Sequence, residues 1–131
     1  MIPPTIWLVD DDPDEHFFMQ AAFQQHCPAI VLKLLQDGDE VIPALQSTVE
    51  VPNLILMDIN MSRQNGLETL QQLRQFKRYS QLPVIIFSTS DNPQDQRRTD
   101  ELGASDFVTK PTTLSSLNSL VAKLATQWLG S

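Results

Sequence analysis

At 131 residues, 41% of them hydrophobic and 19% charged, the chain has the length for one domain with a proper core and too much apolar character for disorder. A net charge of −7 excludes nonspecific nucleic-acid binding through clustered Lys and Arg and suits a divalent cation or a basic partner. The single cysteine, Cys27, excludes an intramolecular disulfide and a Cys-rich zinc site, and no apolar window approaches the length of a membrane span. The opening MIPPTIWLVDDD has no basic region and its apolar run stops after four residues, so no signal peptide is expected and a cytoplasmic location is.

In chain order, Ile6 to Val9 reads as a short buried strand led in by two prolines. It runs into Asp10, Asp11, Asp12, Pro13, Asp14 and Glu15, where five of six residues are acidic. Asp12 is a good helix N-cap, Pro13 fits the first helical position, and Glu15 sits where a capping box places its carboxylate. Asp10 and Asp11 precede the cap and have no such explanation. A helix then runs to about His26, with Phe17, Phe18, Ala21 and Ala22 at helical spacing toward the core, and Cys27-Pro28 ends it. Cys27 reads as a packing residue, and His16 and His26 as surface histidines with no Ser or Cys motif to make a triad.

Ile30 to Leu35 is a second strand, and Asp37-Gly38 is a turn signal. A helix from about Asp39 to Gln46 follows, with Val41, Ile42 and Leu45 inward and Pro43 either in its first turn or bending it. Asn53 to Met57 is a third strand that stops at Asp58, and a polar-leaning loop closes on Gly66. Gly66 to about Arg78 is an amphipathic helix with Leu67, Leu70, Leu73 and Phe76 at three-residue steps. Pro83 to Phe87 is a fourth strand, followed by the polar run Ser88 to Asn92. Pro93 to Leu102 is a highly polar, weakly held helix stopped by Gly103, with Arg97 and Arg98 solvated. Ser105 to Thr109 is a fifth strand. A last helix from about Thr113 to Trp128 lines one face with Leu114, Leu117, Leu120, Val121, Leu124 and Trp128. Strand and helix repeated five times imply a parallel sheet with helices on both faces.

Five polar features then stand at the C-terminal ends of strands: Asp10 and Asp11 after the first, Asp58 after the third, Ser88 after the fourth and Lys110 after the fifth. Parallel strands share one C-terminal edge, where open α/β sheets bind their ligands. Carboxylates held close repel one another, and a hard cation such as Mg²⁺ removes the repulsion through oxygen ligands. Asp10, Asp11, Asp58 and a main-chain carbonyl near Asn60 are the candidate ligands. Asp58 is the candidate nucleophile, because a carboxylate can accept a phosphoryl group as an acyl phosphate. Lys110 is a compact cation for the Asp58 carboxylate or a phosphoryl oxygen on it, and Ser88 supplies a hydroxyl donor.

These residues carry a resemblance. LVDDD at 8–12, LILMDINMSRQNG at 54–66, PVIIFSTS at 83–90 and GASDFVTKP at 103–111 together resemble a response-regulator receiver domain of two-component signalling, over essentially the whole chain. The resemblance implies a flavodoxin-like, doubly wound (βα)5 α/β fold with strand order 2-1-3-4-5, in one domain over 1–131 with no output domain. Asp58 then corresponds to the phosphoacceptor. Asp10 and Asp11 correspond to the acidic pair that binds Mg²⁺, with the Asn60 main chain contributing. Ser88 and Phe107 occupy the two switch positions, Lys110 the lysine position with a cis bond to Pro111, and Asn60 and Ser90 the two positions that tune dephosphorylation. The chain departs from the family pattern in having Ser62 where proline commonly follows Met61, in the missing hydroxyl of Phe107, and in Ser rather than Thr at 88.

The implied function is a stand-alone phosphorylation switch, not a turning-over enzyme. A sensor histidine kinase phosphorylates Asp58, and the change reshapes the surface of the fourth helix, fifth strand and fifth helix for a downstream protein or a homodimer. No direct nucleic-acid or membrane partner is expected. Trp128-Leu129 resembles the end of small regulators paired with phytochromes, and a chemotaxis-like effector or a phosphorelay intermediate are the other forms of this reading. A small Mg²⁺-dependent phosphatase or phosphotransferase with an aspartate nucleophile is the rival. Haloacid-dehalogenase-type enzymes, however, carry the nucleophile and a second Asp two residues apart on the first strand, and no cap segment is present here. A phosphorylation-independent interaction domain is a third reading, opposed by the intact Asp, Ser and Lys set.

Overall fold

Side-chain alternation along the strands determines how the sheet is covered. In β1 (Thr5–Val9), Ile6 and Leu8 enter one apolar cluster while Trp7 and Val9 enter another. β3 (Leu54–Met57) and β4 (Val84–Ser88) alternate in the same way, with Leu54, Leu56, Ile85 and Phe87 on the first side and Ile55, Met57, Val84 and Ile86 on the second. Apolar residues on both faces are what a sheet covered on both sides requires. The computed structural model describes residues 3–129. With β2 (Val31–Leu35) and β5 (Asp106–Thr109) at the edges, the five strands are all parallel in the order β2-β1-β3-β4-β5. This is the flavodoxin-like order expected from the sequence.

Helices α1 (Pro13–His26) and α5 (Leu114–Leu129) cover the first face, through Met19, Ala22 and Phe23 and through Leu117, Val121 and Leu124. Helices α2 (Val41–Gln46) and α3 (Gly66–Gln75) cover the second face through Val41, Leu45, Leu70 and Leu73. The short helix α4 (Pro93–Glu101) lies next to β5 and buries only Thr99 within its span, so its hold on the sheet is as slight as its polar sequence suggests. Gly103 follows it with φ +95°, the one positive φ among the described residues. That conformation lets Ala104 N–H reach back to the Thr99 carbonyl at 2.9 Å and close the helix.

Several elements differ in detail from the sequence reading. On α1 the buried face is Met19, Ala22 and Phe23, while Phe17, Phe18 and Ala21 are exposed. The helix carries apolar residues on nearly every side, so periodicity alone does not choose a face. The α3 pattern ends at Gln75, where a 3-10 turn at Lys77–Tyr79 rotates the chain, so Tyr79 is buried and Phe76 exposed. Leu114, in the first turn of α5, is exposed. The expected helix from Asp39 is a 3-10 turn, Gly38–Glu40, followed by α2, and Pro43 falls in the first turn of α2, where its missing N–H is harmless.

Candidate functional site

Strand register brings the chemistry together. Val9 pairs with Met57, and Asp58 N–H donates to the Val9 carbonyl at 3.0 Å, so Asp10 and Asp58 leave adjacent strands side by side. Lys110 arrives by the same logic: Ser88 pairs with Thr109, and Lys110 N–H donates to the Ser88 carbonyl at 2.7 Å. Carboxylate oxygens of Asp10, Asp11 and Asp58 all lie within 4.8 Å of one another. Asp10 and Asp58 are buried and Asp11 is exposed, so the cluster is anchored from below and open above.

The Lys110 ammonium sits among acids. It donates to Asp10 Oδ2 at 2.7 Å, lies 3.5 Å from Asp58 Oδ2 and reaches Glu15 Oε2 at 4.0 Å. The lysine that the sequence reading assigned to Asp58 is thus held more closely by Asp10, the more deeply buried of the two carboxylates. Burial works against its charge, yet the hydrogen bond and charge of Asp10, with Asp58 and Glu15, outweigh burial and raise its pKa. Asp58 is displaced upward. Burial is the main cause and the Asp10 charge adds to it, while Lys110 and the Ile59 N–H, bonded to Asp58 Oδ1 at 2.8 Å, pull the other way. Glu15 is raised too, by burial first, against Lys110 and with the negative charges of Asp10, Asp12 and Asp58.

Three converging carboxylates with one ammonium beneath them fit an oxygen-liganded divalent cation, which would offset the burial and the Asp10 charge that raise Asp58. Hydrogen bonds at the rim hold these carboxylates in place. Asp12 is the N-cap of α1, accepting from Asp14 N–H at 2.9 Å, but no capping box forms. The Asp12 N–H donates to Asp10 Oδ1 at 3.0 Å, and Glu15 turns toward Lys110. Ser62, the residue in place of the common proline, donates its hydroxyl to Asp11 Oδ2 at 3.0 Å.

Ser88 and Phe107 lie on strands, and Ser90 and Asn60 in the loops that follow β4 and β3. Ser88 is fully buried at the end of β4, and its Oγ accepts from Ser90 N–H at 3.3 Å. Phe107 is partly buried against the α2–α3 side of the core, the side that the alternation of β4 also gives to Ser88. The Ser90 hydroxyl donates to Asp95 Oδ2 at 2.6 Å and accepts from Asn92 N–H, while Asn60 is exposed in the loop after Asp58. One implied feature is corrected: all peptide bonds among the described residues are trans, including Lys110–Pro111. The two isomers of an X–Pro bond differ by only about 0.5–1 kcal/mol in a free chain, so the dipeptide itself does not choose.

Sequence reasoning passed over Asp37 as a turn residue. It is a buried carboxylate that accepts from Arg63 N–H at 2.8 Å and Gln64 N–H at 2.7 Å. The only sequence signal for it is an Asp-Gly dipeptide, which marks a turn wherever it occurs.

Comparison with known proteins agrees with this geometry. The family model described as "Response regulator receiver domain" matches residues 6–122. The chain is 37% identical over 121 residues to Protein PilH of Pseudomonas aeruginosa, covering 89% of this chain and 97% of that protein. It is 30% identical over 132 residues to Response regulator Rcp1 of Synechocystis, covering 97% and 90% respectively. It also matches 25% of a longer protein, a probable cyclic di-GMP phosphodiesterase of Vibrio cholerae, at 34% identity over 118 residues. Among solved structures, the phosphorylated cyanobacterial phytochrome response regulator RcpA superposes with a TM-score of 0.89 at 26% identity, covering 98% of this chain and 95% of that one. The Mn²⁺-bound form of Rcp1 superposes with a TM-score of 0.86 at 28% identity, covering 98% and 96%. With the family model spanning most of its length and the acid–lysine cluster in register, the chain belongs to the response-regulator receiver domains of two-component signalling.

Proposed function

We propose that Asp58 accepts a phosphoryl group from a sensor histidine kinase in the presence of Mg²⁺, and that the chain acts as a stand-alone cytoplasmic switch without turning over a substrate of its own. The observation that carries this reading is the convergence of Asp10, Asp11, Asp58 and Lys110. An Asp58 carboxylate oxygen attacks phosphorus, an O–P bond forms, and the P–N bond to the donor imidazole breaks, leaving that ring to hold or regain its proton. Asp10, Asp11, Asp58 and the Asn60 carbonyl would hold the cation, which when bound orients and neutralises the phosphoryl oxygens. Lys110 then exchanges part of its contact with Asp10 for a phosphoryl oxygen, and the Ser88 hydroxyl turns to donate to another.

Ser88 and Phe107 share one side of the sheet, so movement of the first opens room for the ring of the second. The hollow beside Phe107, about 410 Å³ and lined by Gln96, Arg97, Thr99 and Asp100 of α4, is the surface that would change. Because α4 is lightly held, little energy opposes its shift. That α4–β5–α5 surface is the proposed contact for a downstream protein or a second copy. Ser90 and Asn60, each two residues beyond Ser88 and Asp58, would set the lifetime of the phosphoryl group. The near full-length match to Rcp1 favours a phytochrome-type kinase as donor and a single-domain regulator, with a phosphorelay intermediate as the second form.

A docking face for the donor adjoins the site. Phe17, Phe18 and Leu114 are large exposed apolar residues, and Phe18 and Leu114 line a hollow with Glu15 and Pro111, the neighbours of the Lys110 cluster. Incubation with a small phosphodonor and Mg²⁺ is expected to add one phosphate by intact mass, and none in Asp58→Asn. Labelling that persists in Asp58→Asn would remove Asp58 from the role.

A further inference from the structure

The loop between β3 and α3 forms the outer wall of the acidic cluster. Its neck is closed where Gly66 N–H donates to the Ile59 carbonyl at 2.8 Å. Between those points the loop is tied on two flanks. On the metal side, Ser62 Oγ donates to Asp11 Oδ2 at 3.0 Å. On the far side, the turn after β2 grips the next two residues. Asp37 Oδ2 accepts from Arg63 N–H at 2.8 Å and Asp37 Oδ1 from Gln64 N–H at 2.7 Å. Both oxygens of one buried carboxylate are thus committed to consecutive amides of a loop 26 and 27 residues away in sequence. Gly38 closes the same contact, because a Cβ there would strike the Gln64 carbonyl oxygen and Thr69 Oγ1. The Arg63 side chain adds ion pairs to Asp39 and Glu40 at 2.8 and 3.0 Å, but these are exposed.

Charge-assisted bonds to main-chain amides are stronger than neutral ones and fix backbone position. A buried carboxylate with two such bonds holds the loop in one place. The Asp37 carboxyl is indeed shifted down: burial opposes its charge, and the amides of Arg63, Gln64 and Gly38 overcome that opposition.

We propose that Asp37 is a positioning residue for the divalent-cation site: braced by Gly38, it sets the place of the loop that carries the Asn60 carbonyl and Ser62, and thereby cation affinity, without touching the ion. This rests on the metal reading above. Partners behind the ligands of a metal site commonly change its affinity by about 10–100-fold when removed. Asp37 differs from such partners in acting through backbone amides three and four residues beyond Asn60 rather than through the ligands themselves.

The test is a calorimetric Mg²⁺ titration of the intact chain, paired with amide hydrogen exchange across residues 59–65. Three variants are used: Asp37→Asn, which turns one acceptor into a donor facing an N–H; Gly38→Ala, which pushes the loop while leaving Asp37 in place; and Arg63→Ala, which removes only the exposed ion pairs. The first two are expected to weaken Mg²⁺ binding by about tenfold. Exchange should quicken at residues 61–64 while the sheet amides stay protected. Arg63→Ala should stay within about twofold of the parent, as befits exposed ion pairs. Parent-like affinity in whichever of Asp37→Asn and Gly38→Ala folds would overturn the proposal. So would exchange that quickens evenly over the whole molecule with affinity unchanged. Failure of the underlying metal reading gives a different result: parent protein whose Mg²⁺ heat is unaltered by Asp11→Ala.

Discussion

At the scale of single residues, the site is a problem of like charge solved by neighbours. Asp58 is raised mainly by burial with Asp10 adding to it, whereas Asp37 is lowered because amides satisfy it. The two therefore act oppositely on stability. Asp37 binds its proton more weakly when folded, so its contribution is present above the ordinary value of 3.8 and is lost as pH falls through the lower folded value. Asp58 binds its proton more tightly when folded, so its ionisation above 3.8 costs stability, and acidification through its raised folded value recovers it. A cation reverses the balance at Asp58, because protons and the ion compete for the same oxygens. Apparent Mg²⁺ affinity is expected to fall as pH drops through the carboxylate range, from a higher pH than an unshifted Asp would set. Titrations across that range should show proton release on binding, which vanishes in Asp58→Asn. A pH-independent affinity with no proton release would contradict the assignment.

At the scale of elements, α1 illustrates how a helix can carry two apolar faces. Met19, Ala22 and Phe23 meet the sheet, and Phe17 and Phe18 pack edge to face with ring centroids 5.5 Å apart on the outside. An exposed aromatic pair whose Phe18 shares a hollow with Glu15 and Pro111 suits a partner more than a core. Phe17→Ala and Leu114→Ala are expected to change stability by only about 0.5 kcal/mol, since neither residue is buried. Phosphoryl transfer from the cognate kinase should fall about tenfold, the scale of one interface anchor, with small-donor labelling unchanged. Equal losses with both donors would mean damage to the site rather than to docking. On the opposite side, Arg74 joins elements rather than binding a partner. Its Nε donates to the Gly103 carbonyl and its Nη1 to those of Tyr79 and Leu82, each at 2.9 Å, pinning the end of α3 to the loops around β4 and α4. Burial lowers its pKa, and no carboxylate is among those three partners.

At the scale of the whole molecule, two apolar layers support one charged edge. Any ligand that binds that edge only in the folded state raises stability by mass action. At free Mg²⁺ about 100 times Kd, the native state gains about 2.7 kcal/mol, or roughly 10 °C in Tm for a domain of this size. Thermal melts with and without Mg²⁺ should show that shift in the parent and little of it in Asp11→Ala. An equal shift in both would place the ion elsewhere. The same economy of layers supports the proposed switch surface. Both large cores lie under α1, α2, α3 and α5, so α4 is the part of the fold that moves at least cost.

The alternation of strands and helices, the parallel sheet, and the acids, hydroxyl and lysine at its C-terminal edge are legible in the order of the residues. Those follow from local signals: short apolar runs bounded by turn residues, the cap at Asp12, and polar residues at the moment each strand ends. Packing selects which face of α1 is buried, because its apolar residues fit either orientation. It alone turned Phe76 outward and Tyr79 inward, drew Lys110 closer to Asp10 than to Asp58, and kept Lys110–Pro111 trans. Asp37 marks the boundary most clearly. Its dipeptide predicts a turn, but its work is to hold amides far along the chain, and nothing in a one-dimensional pattern records which distant N–H groups a buried carboxylate will meet.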